Sequence, residues 1–341
     1  MASTFCVGQV NYPKAALSGL GRKVGAFYTR GHLMSLSTKH TRSCAAHDHV
    51  VLKCASPKRL QREKEALQRF EGHAGTRQLL DFAENPPCLV LENLQVDALR
   101  SATKAPISRQ NIKTIARSIL SALESLHANG ITHTDIKPDN ILLNYDQEGT
   151  TVVEAKLADC GKPRKPLSGR RKLILRSHST GDAYEADLAT NPHGAAHVIG
   201  AGIFRSPEAL LGLPWSTSTD IWSFGATLIS LFWGRGFHIF KPAGVKADDS
   251  EFPAHVLTEQ ARYFGPFPLR YQELLDEESE SILAAIHVLI EQEGTRKPFS
   301  LVEDEEILPE DKEFLCDIMR LDPLDRPTAS DLLKHHWFDV R

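Results

Sequence analysis

The chain is 341 residues long, 41% hydrophobic and 24% charged, with 40 Lys and Arg against 43 Asp and Glu. That is enough chain for a substantial core and, at about 150 residues per unit, for roughly two units; nothing in the composition is collagen-like or disordered. The formal charge of −3 lacks the large basic excess of a wholesale nucleic-acid or membrane-surface binder.

The charge is unevenly spread. Residues 1–47 hold Lys14, Arg22, Lys23, Arg30, Lys39 and Arg42 with no acid, leaving 34 bases against 43 acids in residues 48–341. This first segment shows little periodicity. Val50-Val51-Leu52-Lys53 is a β-branched run that predicts a strand, and Ser56-Pro57 offers an N-cap and first-turn proline for a helix reaching about Phe70. At 100° per residue, Leu60, Leu67 and Phe70 define the apolar face of that helix. Glu63 falls within that face and Glu65 nearly opposite, so Glu63 is the carboxylate that needs a cation. Cys88-Leu89-Val90-Leu91 predicts a second buried strand, and the seam between two units falls near residues 92–99.

From Ile107 the pattern is helical. Ile112, Ile115, Ile119, Leu120, Leu123 and Leu126 share one face, and Asn129-Gly130 supplies the stop. Ser218-Thr219-Asp220 opens a helix apolar nearly all round, hence buried; further helices are predicted over Ile282–Gln292, Glu310–Arg320 and Thr328–His336. The six cysteines form no CxxC pair, so neither structural zinc nor a disulfide framework is expected, and a reducing compartment is. The apolar stretch Phe224–Trp233 is too short to span a bilayer, and without a charged n-region followed by an apolar stretch at the start, secretion is not expected. A soluble chain, cytoplasmic or nuclear, is the expectation.

The chemistry concentrates in His133-Thr134-Asp135-Ile136-Lys137-Pro138-Asp139-Asn140, followed by an apolar run, and in Lys156-Leu157-Ala158-Asp159-Cys160-Gly161. A base, a cation, an amide oxygen and a second carboxylate are the groups phosphoryl transfer needs to orient a hydroxyl, neutralise phosphate and hold Mg²⁺. These residues resemble the signature set of the eukaryotic protein kinases. The resemblance implies that Asp135 is the catalytic-loop base, Lys137 the phosphate-contacting lysine, Asn140 and Asp159 the Mg²⁺ ligands, and Lys53, fixed by Glu63, the strand lysine that contacts ATP. It implies adenine contacts from the backbone of Glu92 and Leu94, and a ribose contact from Asp97. Ser206-Pro207-Glu208 resembles the motif closing the activation segment, Arg326 the arginine that pairs with its Glu, and Thr219–Gly225 the start of the central helix. His-Thr-Asp followed by Ile-Lys-Pro, with Arg205-Ser206-Pro207-Glu208, is similar to the SR-protein-kinase-like proteins of filamentous fungi within the CMGC group.

The resemblance covers about Val50 to Phe338 and implies an α+β, two-lobed protein kinase fold. A small β-rich N-lobe (residues 48–92) would precede a larger α-helical C-lobe (residues 93–341) carrying a long activation segment (159–208). The implied activity is Ser/Thr kinase, using ATP and Mg²⁺, on a protein substrate that is basic and Arg/Ser-rich. No membrane contact is expected, and a monomer is. The alternative is a pseudokinase scaffold.

Several departures from the family pattern matter. The glycine-rich loop is degenerate: Gly31 stands near its place without further glycines, and Gly19, Gly21 and Gly25 are off in pattern and distance. Close backbone approach to phosphate requires missing side chains. Residues 1–47 are therefore a divergent first hairpin or an extension; their composition also fits a transit peptide, the least favoured reading. Lys53 and Glu63 stand only ten residues apart, Cys160 replaces a Phe or Leu, and Ala201 replaces a Thr that bridges Asp135 and Lys137. Thr134 replaces the arginine that clamps a loop phosphate, so activation by loop phosphorylation is not expected. Lys162, Arg164, Lys165, Arg170, Arg171, Lys172 and Arg176 make the insert basic; a solvated loop is preferred to nucleic-acid contact or nuclear targeting. Ser168, Ser177, Ser179 and Thr180 are candidate phosphorylation sites there. The acidic runs 276–278 and 303–306 read first as solvated faces, second as attractors of an Arg-rich substrate.

Overall fold

The computed structural model describes residues 9–11, 25–29, 32–36, 49–84, 87–160, 172–176, 183–187, 199–269, 271 and 275–339, with the backbone alone described before Val50 and between 172 and 187. Gly19, Gly21, Gly31, Ser168, Ser177, Ser179, Thr180 and the bases Lys162, Arg164, Lys165, Arg170 and Arg171 lie outside the described residues.

The β-branched run at 50–53 forms β4 (His49–Lys53), which pairs antiparallel with β1 (Gln9–Asn11) and with β6 (Pro87–Glu92). With β5 (Leu79–Glu84) at the far edge, the sheet order is β1-β4-β6-β5. A separate antiparallel pair joins β2 (Gly25–Thr29) to β3 (His32–Leu36), with Thr29 opposite His32. Helix α1 (Pro57–Arg69) starts on the predicted Ser-Pro, the Ser56 carbonyl accepting the N–H groups of Arg59 and Leu60. Its Leu60, Ala66 and Leu67 pack with Val51, Leu89, Leu91 and Cys160 in a small cluster.

After a short strand β7 (Val96–Asp97) come α2 (Ala98–Lys104) and the twenty-residue α3 (Arg109–Ala128). The Ser108 hydroxyl accepts the Asn111 N–H to start α3, and Gly130, at φ 64°, follows its end. The predicted stripe from Ile112 to Leu126 is buried along its whole length, so a Leu→Ala change there costs about 2–5 kcal/mol. β8 (Ile141–Tyr145) and β9 (Val152–Leu157) form a three-stranded sheet with β7. In the insert, β10 (Lys172–Arg176) pairs with β11 (Ala183–Asp187).

The remaining helices are α4 (Pro207–Leu210), α5 (Ser218–Trp233), α6 (Phe252–Phe264), α7 (Glu277–Glu293), α8 (Pro309–Ile318) and α9 (Ala329–Leu333). α5 is buried without a break from Thr219 to Leu231, as its composition predicts. α9 is shorter than expected because it gives way to a 3₁₀ turn at His336–Phe338. α7 is longer, because the Asp276 carboxylate accepts the Ser279 N–H and starts it earlier. A β-rich lobe thus precedes a helical lobe, as the resemblance implies. Among the described residues no helix is long and apolar enough to cross a membrane.

Candidate active site

The turn 133–140 is held by one buried carboxylate. Asp220, in the first turn of α5, accepts the N–H of His133 at 2.7 Å and of Thr134 at 2.8 Å, with His127 Nε2 at 3.0 Å. A carboxylate at a helix N-terminus also faces the positive end of the helix dipole. Thr134 has φ 68°, a costly conformation for a β-branched residue that persists only where its surroundings impose it; the Asp220 bonds are that imposition. Gly200 passes so near that a Cβ there would lie 2.9 Å from the Thr134 carbonyl oxygen. Arg205 fixes this approach by donating to the carbonyls of Ile199 (2.6 Å) and Gly200 (3.0 Å).

Asn140 Nδ2 donates to the Asp135 carbonyl at 2.7 Å, while the Asn140 carbonyl accepts the Ala158 N–H at 2.8 Å. The loop is thereby stitched to the chain just before Asp159, and His133 Nε2 lies 3.0 Å from the Ala158 carbonyl. Lys137 Nζ sits 3.1 Å from Asp139 and 3.9 Å from Asp135. Burial opposes its charge, but Asp135 and Asp139 outweigh that and hold its pKa above the ordinary value. With alanine at 201 no hydroxyl from that position can bridge Asp135 and Lys137.

Asp159, at φ 61° beyond the end of β9, meets the sheet lobe. Lys53 Nζ donates to Asp159 Oδ1 at 2.6 Å and to Glu63 Oε1 at 2.7 Å. Of the two acids on α1, Glu63 is the one turned inward, 1% exposed, while Glu65 is exposed. Burial raises the Glu63 pKa against the pull of Lys53. Burial also opposes the Asp159 charge, but Lys53, with Arg59 and His133, overrides it and holds that carboxyl at about 2. Cys160 fills the small cluster beside Leu60 and Leu89, burial pushing its thiol to about 12.

The seam residues are more engaged than their sequence suggests. The Glu92 N–H donates to the Gln78 carbonyl, and its own carbonyl accepts from Arg77 Nε at 2.8 Å. Its carboxylate receives Lys156 Nζ at 2.7 and 2.8 Å. Leu94 is buried. Asp97 caps α2, Oδ1 accepting the Arg100 N–H at 2.8 Å and Oδ2 lying 3.3 Å from Arg100 Nε. Farther off, Glu208 and Arg326 form a fully buried two-pronged pair, 2.7 Å on each prong.

Sequence reasoning missed Asp220 as an organiser of the turn, along with Arg77, Lys156 and Arg59. Asp220 was legible as the acid opening the apolar helix; Arg77 and Lys156 carry no local signal. Mg²⁺ is a hard cation that takes oxygen ligands, and the donor set fits it: with Nδ2 committed to Asp135, the Asn140 amide has its oxygen left to offer, as Asp159 has its carboxylate.

The protein kinase domain family matches residues 31–338. The chain is 27% identical over 272 residues to the dual specificity protein kinase CLK4 of Mus musculus, covering 74% of this chain and 50% of that one. With the CLK1 kinase of the same organism it shares 26% over 294 residues, 80% and 55% of the two chains. With a serine/threonine protein kinase of Aspergillus fumigatus it shares 28% over 300 residues, 80% and 68%. The chain spans about half the length of the two mouse relatives.

Proposed function

The chain belongs to the protein kinase family, and from that premise we propose that it transfers the γ-phosphoryl group of ATP to Ser or Thr hydroxyls of a protein. The observation that carries this reading is Lys53 held between Glu63 and Asp159 at 2.7 and 2.6 Å: strand β4, the neighbouring helix α1 and the segment after β9, 106 residues on, converge on one ammonium in a half-buried seam. Such a cation, gripped by two carboxyl groups, is positioned to bind the α- and β-phosphates.

In this reading Asp135 accepts the hydrogen bond of the substrate hydroxyl and orients its oxygen for in-line attack. Lys137 offsets charge on the transferring group. Glu63 positions Lys53 without touching substrate. Asn140 and Asp159 hold Mg²⁺, which when bound neutralises phosphate charge. Adenine lies against the backbone of Glu92 and Leu94; since the Glu92 N–H serves Gln78, its contact to adenine is through the second lone pair of the carbonyl. Asp97 reaches the ribose only by sharing its carboxylate with the α2 cap.

The substrate class in this proposal is a basic, Arg/Ser-rich protein segment. Supporting it are the exposed acids Glu303, Glu305 and Glu306 and the exposed start of α7 at Glu277 and Glu278, which steer a cationic chain over a Debye length of about 8 Å at physiological salt. The protein acts as a monomer, cytoplasmic or nuclear, in the same proposal.

The test is phosphate transfer from ATP with Mg²⁺ to Arg/Ser-rich peptides bearing Ser, Thr or Tyr, the Tyr arm included because the mouse relatives are named dual-specificity. Asp135→Ala is expected to lower transfer by about 10²–10⁴-fold with an unchanged melting temperature. Equal activity in wild type and variant overturns the assignment. A wild-type chain that binds ATP but transfers nothing is a scaffold instead.

A further inference from the structure

Two cysteines stand opposite each other across the strand pair that carries Lys53, Cys54 just past the end of β4 and Cys88 on β6. In the antiparallel register of β4 and β6, Leu52 faces Val90 and Lys53 faces Leu89; one step on, Cys54 faces Cys88. Direct cross-strand neighbours have Cα atoms about 4.5 or 5.5 Å apart, both within the range a disulfide spans, about 4.4–6.8 Å. Both cysteines are thiols, Cys54 exposed and Cys88 buried at 2%. Strand alternation puts Lys53 on the face that meets α1 and Cys54 on the other face, with Leu52, where Cys88 and Ala83 form a small apolar cluster. The catalytic reading uses neither sulfur.

We propose that Cys54 and Cys88 form an oxidation site in which the exposed Cys54 is attacked first by a peroxide and the buried Cys88 resolves it into a cross-strand disulfide. In the first step the Cys54 sulfur displaces water from hydrogen peroxide and becomes a sulfenic acid. In the second, the Cys88 sulfur attacks the Cys54 sulfur, its proton leaving with the hydroxyl as a second water. The two thiols are oxidised by two electrons and one peroxide is reduced to two waters, so the sequence balances. A thiol, or a dithiol reductant, reverses it by exchange.

The chemistry of the pair favours this order. The Cys88 thiol donates a hydrogen bond to the Cys54 sulfur, which outweighs partial burial and holds Cys54 at about 7, so much of it is thiolate at neutral pH. The same hydrogen bond and burial push Cys88 upward. Thiolate character and exposure are what select a cysteine for oxidation, and a resolving thiol opposite in register limits it to the reversible rung. The bond would tie the Lys53 strand to the strand leading into Glu92, on the face away from the phosphates.

The experiment uses the full wild-type chain. Reduced protein is treated with stoichiometric hydrogen peroxide, quenched with N-ethylmaleimide, digested without reductant and mapped by mass spectrometry. The expected result is a linked peptide pair joining Cys54 to Cys88, short of two hydrogens and lost on dithiothreitol. Before oxidation, Cys54 should alkylate about tenfold faster than Cys316 at neutral pH. In Cys88→Ser, Cys54 should accumulate as a dimedone-reactive sulfenic acid. The proposal is overturned if wild-type Cys54 goes to sulfinic acid unlinked, links to another cysteine, or alkylates no faster than Cys316.

Discussion

Glu63 carries the positioning of Lys53 at a cost that its surroundings make visible. Its side chain is buried, one oxygen serves Lys53, and the other has no hydrogen-bond partner. Burial raises its pKa, so the folded chain prefers the protonated form more than the unfolded chain does. A carboxyl with a raised folded pKa gives stability that is complete below its unfolded pKa and is lost as pH rises through the folded one. Glu63→Gln, which keeps the shape and removes the charge, should therefore flatten the stability-against-pH curve above the ordinary carboxylate range, and leave the melting temperature at pH 7 equal or higher. Activity should move the other way. Lys53 would keep only Asp159 as a charged partner, and on the proposed reading kcat/KM for ATP should fall by about 10-fold to 100-fold, the order expected when a cation proposed to position phosphate is misplaced by an ångström. Melting curves from pH 4 to 8 and steady-state kinetics check both halves. A variant less stable at pH 7 with unaltered kinetics would mean Glu63 is only a packing group.

At the level of elements, legibility followed locality. Helices α1, α3 and α5 were readable because their apolar patterns and start signals, with the Asn129-Gly130 stop of α3, lie within their own sequence. α6 was not read, although Phe252, Val256, Leu257 and Ala261 are buried at helical spacing, because its N-cap is Glu251, which makes no capping bond and is not one of the Ser, Thr, Asp or Asn residues that mark a start. Arg77 and Lys156 were invisible for a different reason: they meet Glu92 across 15 and 64 residues, and no periodicity marks such a partner. Arg326 was readable only through the resemblance, yet it joins three elements. It grips Glu208 of α4 with two prongs, the Ser218 carbonyl at the head of α5, and the carbonyls of Arg320 and Leu321 after α8. Replacing a buried pair by apolar groups is often neutral, but removing one partner strands the other charge. Arg326→Ala should thus cost about 3–5 kcal/mol, read as a lower denaturant midpoint, whereas Arg326→Ala with Glu208→Leu should recover part of it. A double variant as weak as the sum of the singles would show that the backbone contacts, not the ion pair, hold the elements.

The two lobes differ greatly in what holds each together, and this bears on how the whole molecule responds to ligand. The sheet lobe rests on a few buried side chains around Val51, Leu60, Leu67, Leu89 and Leu91, whereas the helical lobe has a continuous core from Ile112 to Trp337. Alone, the small cluster would melt first. Yet it is not alone: Cys160, reached through β9, is packed inside it, and the Arg77 N–H donates to Leu157 while the Leu157 N–H donates to Gly75. The chain crosses the seam as a packed strand end, with the Lys53–Asp159 contact beside it. Composition suggested two units, but only the contacts show that their boundary is a bonded surface. The expectation is a single melting transition for the described lobes. ATP with Mg²⁺ at about 100 times Kd adds about 2.7 kcal/mol, which should move that one transition up by roughly 5 °C. Asp159→Asn, which keeps the shape but weakens the proposed Mg²⁺ ligand, should cut the part of the shift that depends on Mg²⁺ and leave the part seen with ATP alone. Calorimetry with ATP, with Mg²⁺ and with both separates these contributions. Two transitions, only the lower of which moves with ligand, would mean that the segment 157–160 does not couple the lobes and that ATP binds the sheet lobe alone.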